Sequence, residues 1–465
     1  MARAAPDGSL SGERRAPALP ITPVPGLVEF DAEELGRSAL RLATESIEAD
    51  GAPDGVAITH QRASPVVWAP SPGRPVAPGQ GWQDLRTVGD CLVLAADGLR
   101  LAPNHSATKV ANILGQVDPD RSTGLLSGTI DTWLAWSLSG GSTFVTDASN
   151  ASLTGLATNA ADAWNAAVLD ALNIPPESLA TIGDSLGALS TLDLLPGAPP
   201  LLAVLGDQQA SMIGQGAVVP DAAKITFGTG GMLDVCTPGD RPAVPRTTAG
   251  CFPIAGWSAG GQRTWALEAI MLSAGTNVEW LRDDLGIIDD TAQSDELAAS
   301  VDDADGVVFV PAPLGLGTPH WDYGARSGLF GLTRGSTKAH VARAVLEGVA
   351  QRGAELLAAA EADSGASIDA LRVDGGMSQN RTFIQALANA IQRPVEVSPV
   401  LEATARGGGL AAGVALGWFE SVPALADLWQ PAEVIEPNGA FSADRWAEAV
   451  RRVGGWHPEL SAINF

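Results

Sequence analysis

The chain reads as an α/β protein of two domains, and three observations say so. An apolar run, PPLLAVL, ends on Gly206-Asp207-Gln208-Gln209. A buried strand that stops on a carboxylate and two amides is how an open α/β sheet presents polar groups at its ligand-binding edge. A second stretch, LRVDGGMSQNRTFIQALANAIQRPVEVSP from Leu371, alternates strand, Gly turn, helix and strand. The 465 residues also exceed what a single core usually carries. The boundary is placed near residue 216, just after the GDQQAS turn, which divides the chain into 1–216 and 217–465.

The other elements follow in order. The first 25 or so residues are rich in Pro, Ala and Arg and predict extended chain. DAEELGRSALRLATESIEA predicts a helix capped by Asp31. GVAITHQRASPVVWAP predicts two short strands around a polar interruption at His60-Gln61-Arg62, and GTIDTWLAWSLSGG a helix closed by Gly140-Gly141. AAKITFGTGGMLDVCT predicts a hairpin. Long helices are expected over TWALEAIMLSAGTNVEWLRDDLG and KAHVARAVLEGVAQRGAELLAAAEADSG. EATARGGGLAAGVALGWF predicts a helix of small residues able to approach another backbone closely.

Composition excludes several functions. Lys and Arg number 28 against 53 Asp and Glu, a formal charge of −25. Such a surface repels a phosphate backbone or an anionic bilayer, so no nucleic-acid or membrane partner is expected. No apolar window approaches the length of a spanning helix, and the first residues lack the apolar core of a signal peptide. Cys91, Cys236 and Cys251 are dispersed, without a metal-ligand spacing, which fits a reduced cytoplasm. The histidines show no HxH or HExxH pattern, and no Gly-x-Ser-x-Gly elbow is present.

Four segments carry polar groups where a ligand would need them. Asp207, at a strand end, could accept a hydroxyl proton or simply cap the next helix. TFGTGG offers backbone N–H groups and a Thr hydroxyl for phosphate oxygens, or is an ordinary turn; it is not a Walker loop. VDGGMSQN suits a nucleotide lying across Gly375-Gly376, or is a plain strand-to-helix connection. Arg62 and Trp82 could give a small polar ligand a charged donor and an apolar wall, although an arginine is more often a surface ion-pairing residue.

Taken together, PGLVEFD, ITHQRASPVVW, WQDLRT, GTIDTWLAWSLSGG with VTDASNAS, GDQQAS, KITFGTG, PAPLGLGTPHWD with ARSGLFGLTRG, and LRVDGGMSQN with EATARGGGLAAGVALGWF resemble the FGGY carbohydrate kinase family, in the same order, over about residues 26–420. The resemblance implies two actin-like, ribonuclease-H-type α/β domains with a cleft between them. It implies transfer of a phosphoryl group from ATP with Mg²⁺ to a polyol or sugar hydroxyl, and it leaves room for a homo-oligomer. By the same resemblance Asp207 is the general base. Arg62, Trp82 and Gln208 bind the acceptor. Gly228, Thr229, Gly275, Glu279, Gly376, Met377 and Asn380 bind the nucleotide, and the metal ligands stay unassigned.

Some positions depart from the pattern of the family's polyol kinases. Ala63 stands where a Glu follows the pocket arginine, Asn104 where a Tyr contacts the acceptor, and Met232 where a Phe follows the phosphate turn. Losing a hydroxyl acceptor weakens selection of a small polyol. Asp84 is the candidate replacement, and a ketopentose, a sugar acid or a larger polyol the alternative acceptors. The family also opens with a β-hairpin bearing an Asp-x-Gly-Thr phosphate loop, and no such tetrapeptide occurs in this sequence. The first hairpin is therefore expected to be missing: either the start is assigned too late or this is a degenerate kinase, the first being favoured because Asp207 and both Gly turns are intact. A sugar- or nucleotide-binding protein without catalysis is the reading from a different class.

Overall fold

The computed structural model describes residues 1–241, 246 and 248–463. Its centre is a ten-stranded sheet, here β1 (Val56–His60), β2 (Leu186–Thr191), β3 (Pro200–Gly206), β4 (Ala223–Phe227), β5 (Gly231–Cys236), β6 (Phe252–Ala259), β7 (Gln262–Met271), β8 (Leu371–Asp374), β9 (Val395–Val397) and β10 (Glu433–Ile435), in spatial order β10-β9-β8-β4-β5-β7-β6-β2-β3-β1. Pairing β3 with β1 and β4 with β8 is parallel, and so is β8 with β9. Followed through the antiparallel and parallel neighbours between them, β1, β3, β4, β8 and β9 all run the same way. Their carboxyl ends therefore share one end of the sheet.

Helices cover the sheet. α1 (Ala32–Asp50) starts at Asp31, whose side chain accepts from the Glu34 amide at 2.9 Å, as the sequence predicted. α2 (Ile130–Leu138) follows a short strand, Leu126–Thr129, and ends before Gly140 and Gly141, both at positive φ. α3 (Asp207–Gly214) leaves β3, and α4 (Thr276–Asp283) follows β7. α5 (Lys338–Ser364) is the long helix expected there, closed by Gly365 at φ 72°. α6 (Arg381–Ile391) and α7 (Ala403–Ala415) are the other helices that bear on the site.

The small-residue helix does make the close approach its composition predicted. A Cβ on Gly407 would lie 1.7 Å from the Ala210 carbonyl oxygen, and one on Gly214 2.0 Å from that of Ala403. α7 and α3 thus touch backbone to backbone, which fixes the helix that begins with Asp207.

One expectation fails. TWALEAIMLSAGTNVEWLRDDLG is not one helix: its first part is β7, and only Thr276–Asp283 is helical. β7 pairs with β5 on one side and β6 on the other, and Trp265 to Ala269 are all buried. A strand covered on both faces is apolar without alternation, and periodicity cannot separate it from a buried helix.

The chain begins with an antiparallel pair, Arg3–Ala4 with Leu10–Ser11, outside the central sheet. Ala4 packs toward α7 at Gly409, where an added Cβ would meet the Ala4 methyl group at 2.2 Å. β1 is the outermost strand of its edge.

Candidate active site

The shared end of the sheet gathers most of the residues that the sequence singled out. Arg62 follows β1, Asp207 follows β3, Gly228 and Thr229 follow β4, and Gly375 to Met377 follow β8. These positions come from four distant segments, and parallel pairing is what brings them to one edge.

On the acceptor side, Asp207 is the first residue of α3, with about a third of its side chain exposed. Its Oδ1 accepts the Gln208 amide at 2.8 Å and lies 3.2 Å from Arg62 Nε. Arg62 is not a surface residue: its side chain is 13% exposed, and its Nη1 sits 2.8 Å from Glu268 Oε2 on β7. Burial works against its charge, but the carboxylates of Glu268 and Asp207 hold the guanidinium protonated. Gly206 makes this approach feasible, because a Cβ there would meet Arg62 Cδ at 2.7 Å. The two amides after Asp207 have different tasks. Gln209 is buried and donates toward the Ser149 and Ala255 carbonyls at 3.4 and 3.3 Å, anchoring the helix. Gln208 is half-buried, and its Oε1 accepts from Lys224 Nζ at 2.6 Å.

Beneath these strand ends lies a buried polar cluster. His60, Asp131 and Asp147 place one donor atom each within 4.8 Å of one another. Asp131 accepts from the Thr129 hydroxyl, from Thr146 Oγ1 at 2.5 Å and from Asn150 Nδ2 at 3.2 Å. Asp147 accepts from the Ser149 and Asn150 amides at 2.9 and 3.1 Å and from Ser185 Oγ at 2.6 Å, while burial still raises its carboxyl. The cluster reaches both halves of the acceptor side: Asn150 Oδ1 accepts the Ala63 amide at 3.1 Å, and Ser149 Oγ the Gly206 amide at 3.0 Å. It sets the Arg62 turn and the Asp207 strand end in one frame.

The sequence expectations for the pocket wall need revision. Asp84 does not open onto a ligand. It is fully buried, with Oδ1 accepting from Arg86 N and Nε at 3.0 and 2.8 Å and Oδ2 from Val28 N and Arg86 Nη2 at 2.6 and 2.8 Å. It is the staple of its own loop and cannot replace the acceptor that Ala63 lacks. Trp82 is half-buried and Asn104 exposed. Their segments are tied by the buried Lys109, whose Nζ donates to the carbonyls of Trp82 at 3.0 Å and Pro103 at 2.7 Å.

The candidate nucleotide side is built from backbone. The Gly275 amide donates to the Gly228 carbonyl at 2.9 Å and the Ala274 amide to that of Thr229 at 2.7 Å, so the two turns are stitched together. A Cβ on Gly275 would lie 2.6 Å from the Gly228 oxygen, and one on Gly375, at φ 89°, would lie 2.4 Å from the Phe227 oxygen. Gly228 and Gly376 face the other way, onto open space with no atom within 4 Å of an added Cβ. Exposed backbone around empty room is the form of a phosphate cradle. Met377 is buried close to Gly275, whereas Glu279 is exposed. Asn380 follows this turn and caps α6: its Oδ1 accepts the Phe383 amide at 2.8 Å, and its Nδ2 donates to Ser294 at 3.0 Å.

Sequence reasoning missed Glu268, Lys224 and Asp234. Each is a charge set inside an apolar strand, which was the available signal, since a buried charge requires a partner. Asp374 was passed over too; it accepts from Ser211 Oγ on α3 at 3.0 Å.

Comparison with known proteins places this arrangement. Residues 6–214 match the model of the FGGY family of carbohydrate kinases, N-terminal domain, and residues 223–416 that of the C-terminal domain. The chain is 39% identical over 480 residues to a glycerol kinase of Trichlorobacter lovleyi, covering 97% of this chain and 95% of that one. It is 40% identical to the glycerol kinase of Bordetella parapertussis over 465 residues, 93% of this chain and 91% of the relative. The crystal structure of Plasmodium falciparum glycerol kinase with ADP superposes with a TM-score of 0.86 at 26% identity, covering 99% of this chain and 96% of that one. The mixed α/β fold is thus that of these kinases, whose two domains are actin-like. No helix among the described residues is long and apolar enough to cross a membrane. The chain belongs to the FGGY family of carbohydrate kinases, ATP-dependent phosphotransferases with an alcohol acceptor.

Proposed function

We propose that the protein transfers the γ-phosphoryl group of ATP to a hydroxyl of glycerol or a related polyol or sugar, and that Asp207 takes the hydroxyl proton. The observation that carries this is the placement of one part-exposed carboxylate, Asp207, at the sheet end that also bears the open Gly228–Thr229 turn. In phosphoryl transfer nearly all catalysis is positioning and charge stabilisation, so a base held in register with a phosphate cradle is the essential geometry. Arg62 fixes the Asp207 carboxylate from one side, which leaves Oδ2 to face the acceptor. Trp82 and Gln208 line the acceptor side within residues 1–216, and Gly228, Thr229, Gly275, Glu279, Gly376 and Met377 the nucleotide side within 217–465.

The residues present fit a nucleotide: the exposed Thr229, with its amide and hydroxyl, suits phosphate oxygens at a turn closed by the Gly228 amide donating to the Gly230 carbonyl at 3.0 Å, and the room beside Gly376 suits the nucleoside end. Mg²⁺ binds such sites through one or two carboxylates with the substrate phosphates and water. An ion held with the phosphates would neutralise their charge and leave Asp207 free to take the hydroxyl proton. With no Asp-x-Gly-Thr loop in the sequence, the Gly228–Thr229 turn is the phosphate cradle on which the reading rests.

The acceptor is selected without a carboxylate at position 63, where Ala63 is buried at φ 54°. This favours an acceptor that differs from glycerol at the hydroxyl such a carboxylate would hold. Release of ADP by the 465-residue chain with MgATP and glycerol, tetritols, pentitols, ketopentoses or gluconate tests the proposal. Turnover with one acceptor identifies it. Silence across the panel contradicts catalysis and leaves a binding role.

A further inference from the structure

We infer that Lys224, on the nucleotide side of the family match, is a positioning residue for the acceptor: with Asp234 it locks the Gln208 amide so that its NH₂ faces the cleft. The inference rests on the proposed kinase reading for its consequence, but its geometry stands alone.

Lys224 and Asp234 are both fully buried, on neighbouring antiparallel strands and directly opposite in register. Nζ of Lys224 lies 2.6 Å from Asp234 Oδ2, donates to Gln208 Oε1 at 2.6 Å and reaches Thr226 Oγ1 at 3.1 Å. An ammonium has three protons and no lone pair; it donates to Gln208 and Thr226, and its charge is matched by Asp234. The same fact decides which way the amide is turned. Only the oxygen of Gln208 can face a group that donates and never accepts, so the NH₂ must point away. That NH₂ has no partner among the described residues, and the side chain is half-buried beside Asp207.

A free glutamine amide can rotate by half a turn and offer either a donor or an acceptor. Here the choice is removed. Gln208 presents a donor, which takes a lone pair of an acceptor oxygen. A buried ion pair is an expensive way to hold one amide, since well-packed apolar residues are often as stable. Its presence at this spot is accounted for by orientation. The contact also crosses the family's two matched segments, 6–214 and 223–416, so it places an acceptor-side group relative to the nucleotide-side sheet.

The test is a double-mutant cycle on the full chain with Gln208→Ala and Lys224→Met, read in two ways. Without ligand, the contact predicts that the losses in Tm are not additive: the double variant melts no lower than the worse single variant by more than about 1 °C, because distant independent sites add and contacting ones do not. With MgATP and glycerol, or whichever acceptor the wild type turns over, Lys224→Met is expected to raise the acceptor KM about tenfold, the scale of one lost charge-assisted hydrogen bond. The KM for MgATP stays within about twofold, and no further acceptor effect appears in the Gln208→Ala background. A Lys224→Met, Asp234→Leu double variant separates positioning from stability: it restores Tm while the acceptor KM stays high. Additive Tm losses, or an unchanged acceptor KM in Lys224→Met, overturn the inference. Silence of the wild type toward every acceptor refutes the kinase reading instead, and the ligand-free cycle then still decides the contact.

Discussion

The two halves of the site are made of different material. The proposed nucleotide half consists of glycines and backbone amides, with turns pinned to each other by main-chain hydrogen bonds and approaches that admit no Cβ. The proposed acceptor half is held by buried charges, several of them lent by strands of 217–465: Arg62 between Asp207 and Glu268, and Lys224 between Asp234 and Gln208. A phosphate group is the same in every nucleotide, so a rigid backbone cradle suffices. An acceptor differs between members of the family, and side chains are the parts that can be exchanged without moving a strand.

The difference predicts opposite sensitivities, and the largest effect is expected on the charged half. Arg62→Met leaves Glu268 buried without its cation, and breaking such a pair costs about 3–5 kcal/mol. A thermal or urea melt should show that loss together with collapse of acceptor kcat/KM. Next comes the backbone half. Gly275→Ala forces a Cβ to within 2.6 Å of the Gly228 oxygen, so the turn must shift. ADP affinity measured by calorimetry is expected to fall about tenfold or more while acceptor affinity holds, since a misplacement of about an ångström is costly in such sites. Equal effects on both ligands would erase the distinction between the halves.

A smaller effect concerns pH. Burial pushes the Asp234 carboxyl up to about 7 against the pull of Lys224. The folded chain then holds a proton between the ordinary carboxylate range and about 7 that the unfolded chain has released, so the contribution of this group to stability falls as pH rises through that window. Asp234→Asn removes the slope, and the difference in Tm between wild type and variant, followed from pH 5 to pH 8, should change in that window alone. The smallest effect is chemical. Cys91, Cys236 and Cys251 are buried, and desolvation raises all three thiols, Cys236 to about 12. A thiol reagent should find none of them in the native protein and all three after denaturation.

Much of this was legible in the sequence. The strand ending in Asp207, the Gly228–Thr229 hairpin and the Gly375–Gly376 turn each announce themselves, because a turn and its strand are contiguous. The misread segment around Glu268 shows the limit: a strand buried on both faces carries no period, and its being a strand depends on partners supplied by β5 and β6. Asp84 shows another. A polar residue in the right motif looks free until the structure shows that Arg86 and Val28 already occupy it. Glu268, Lys224 and Asp234 were visible as charges in apolar runs, but their partners in the Arg62 and Gln208 turns are set by sheet order and not by spacing.

The central claim is that Asp207 removes the proton from an acceptor that Arg62 and Gln208 position beside bound ATP. The most direct test follows single-turnover transfer of the γ-phosphate in wild type and Asp207→Asn, with ADP affinity measured on the same preparations. The account predicts that transfer falls by about three orders of magnitude, within the range that a positioned base contributes, while ADP affinity is unchanged. Transfer at the wild-type rate by Asp207→Asn would contradict it.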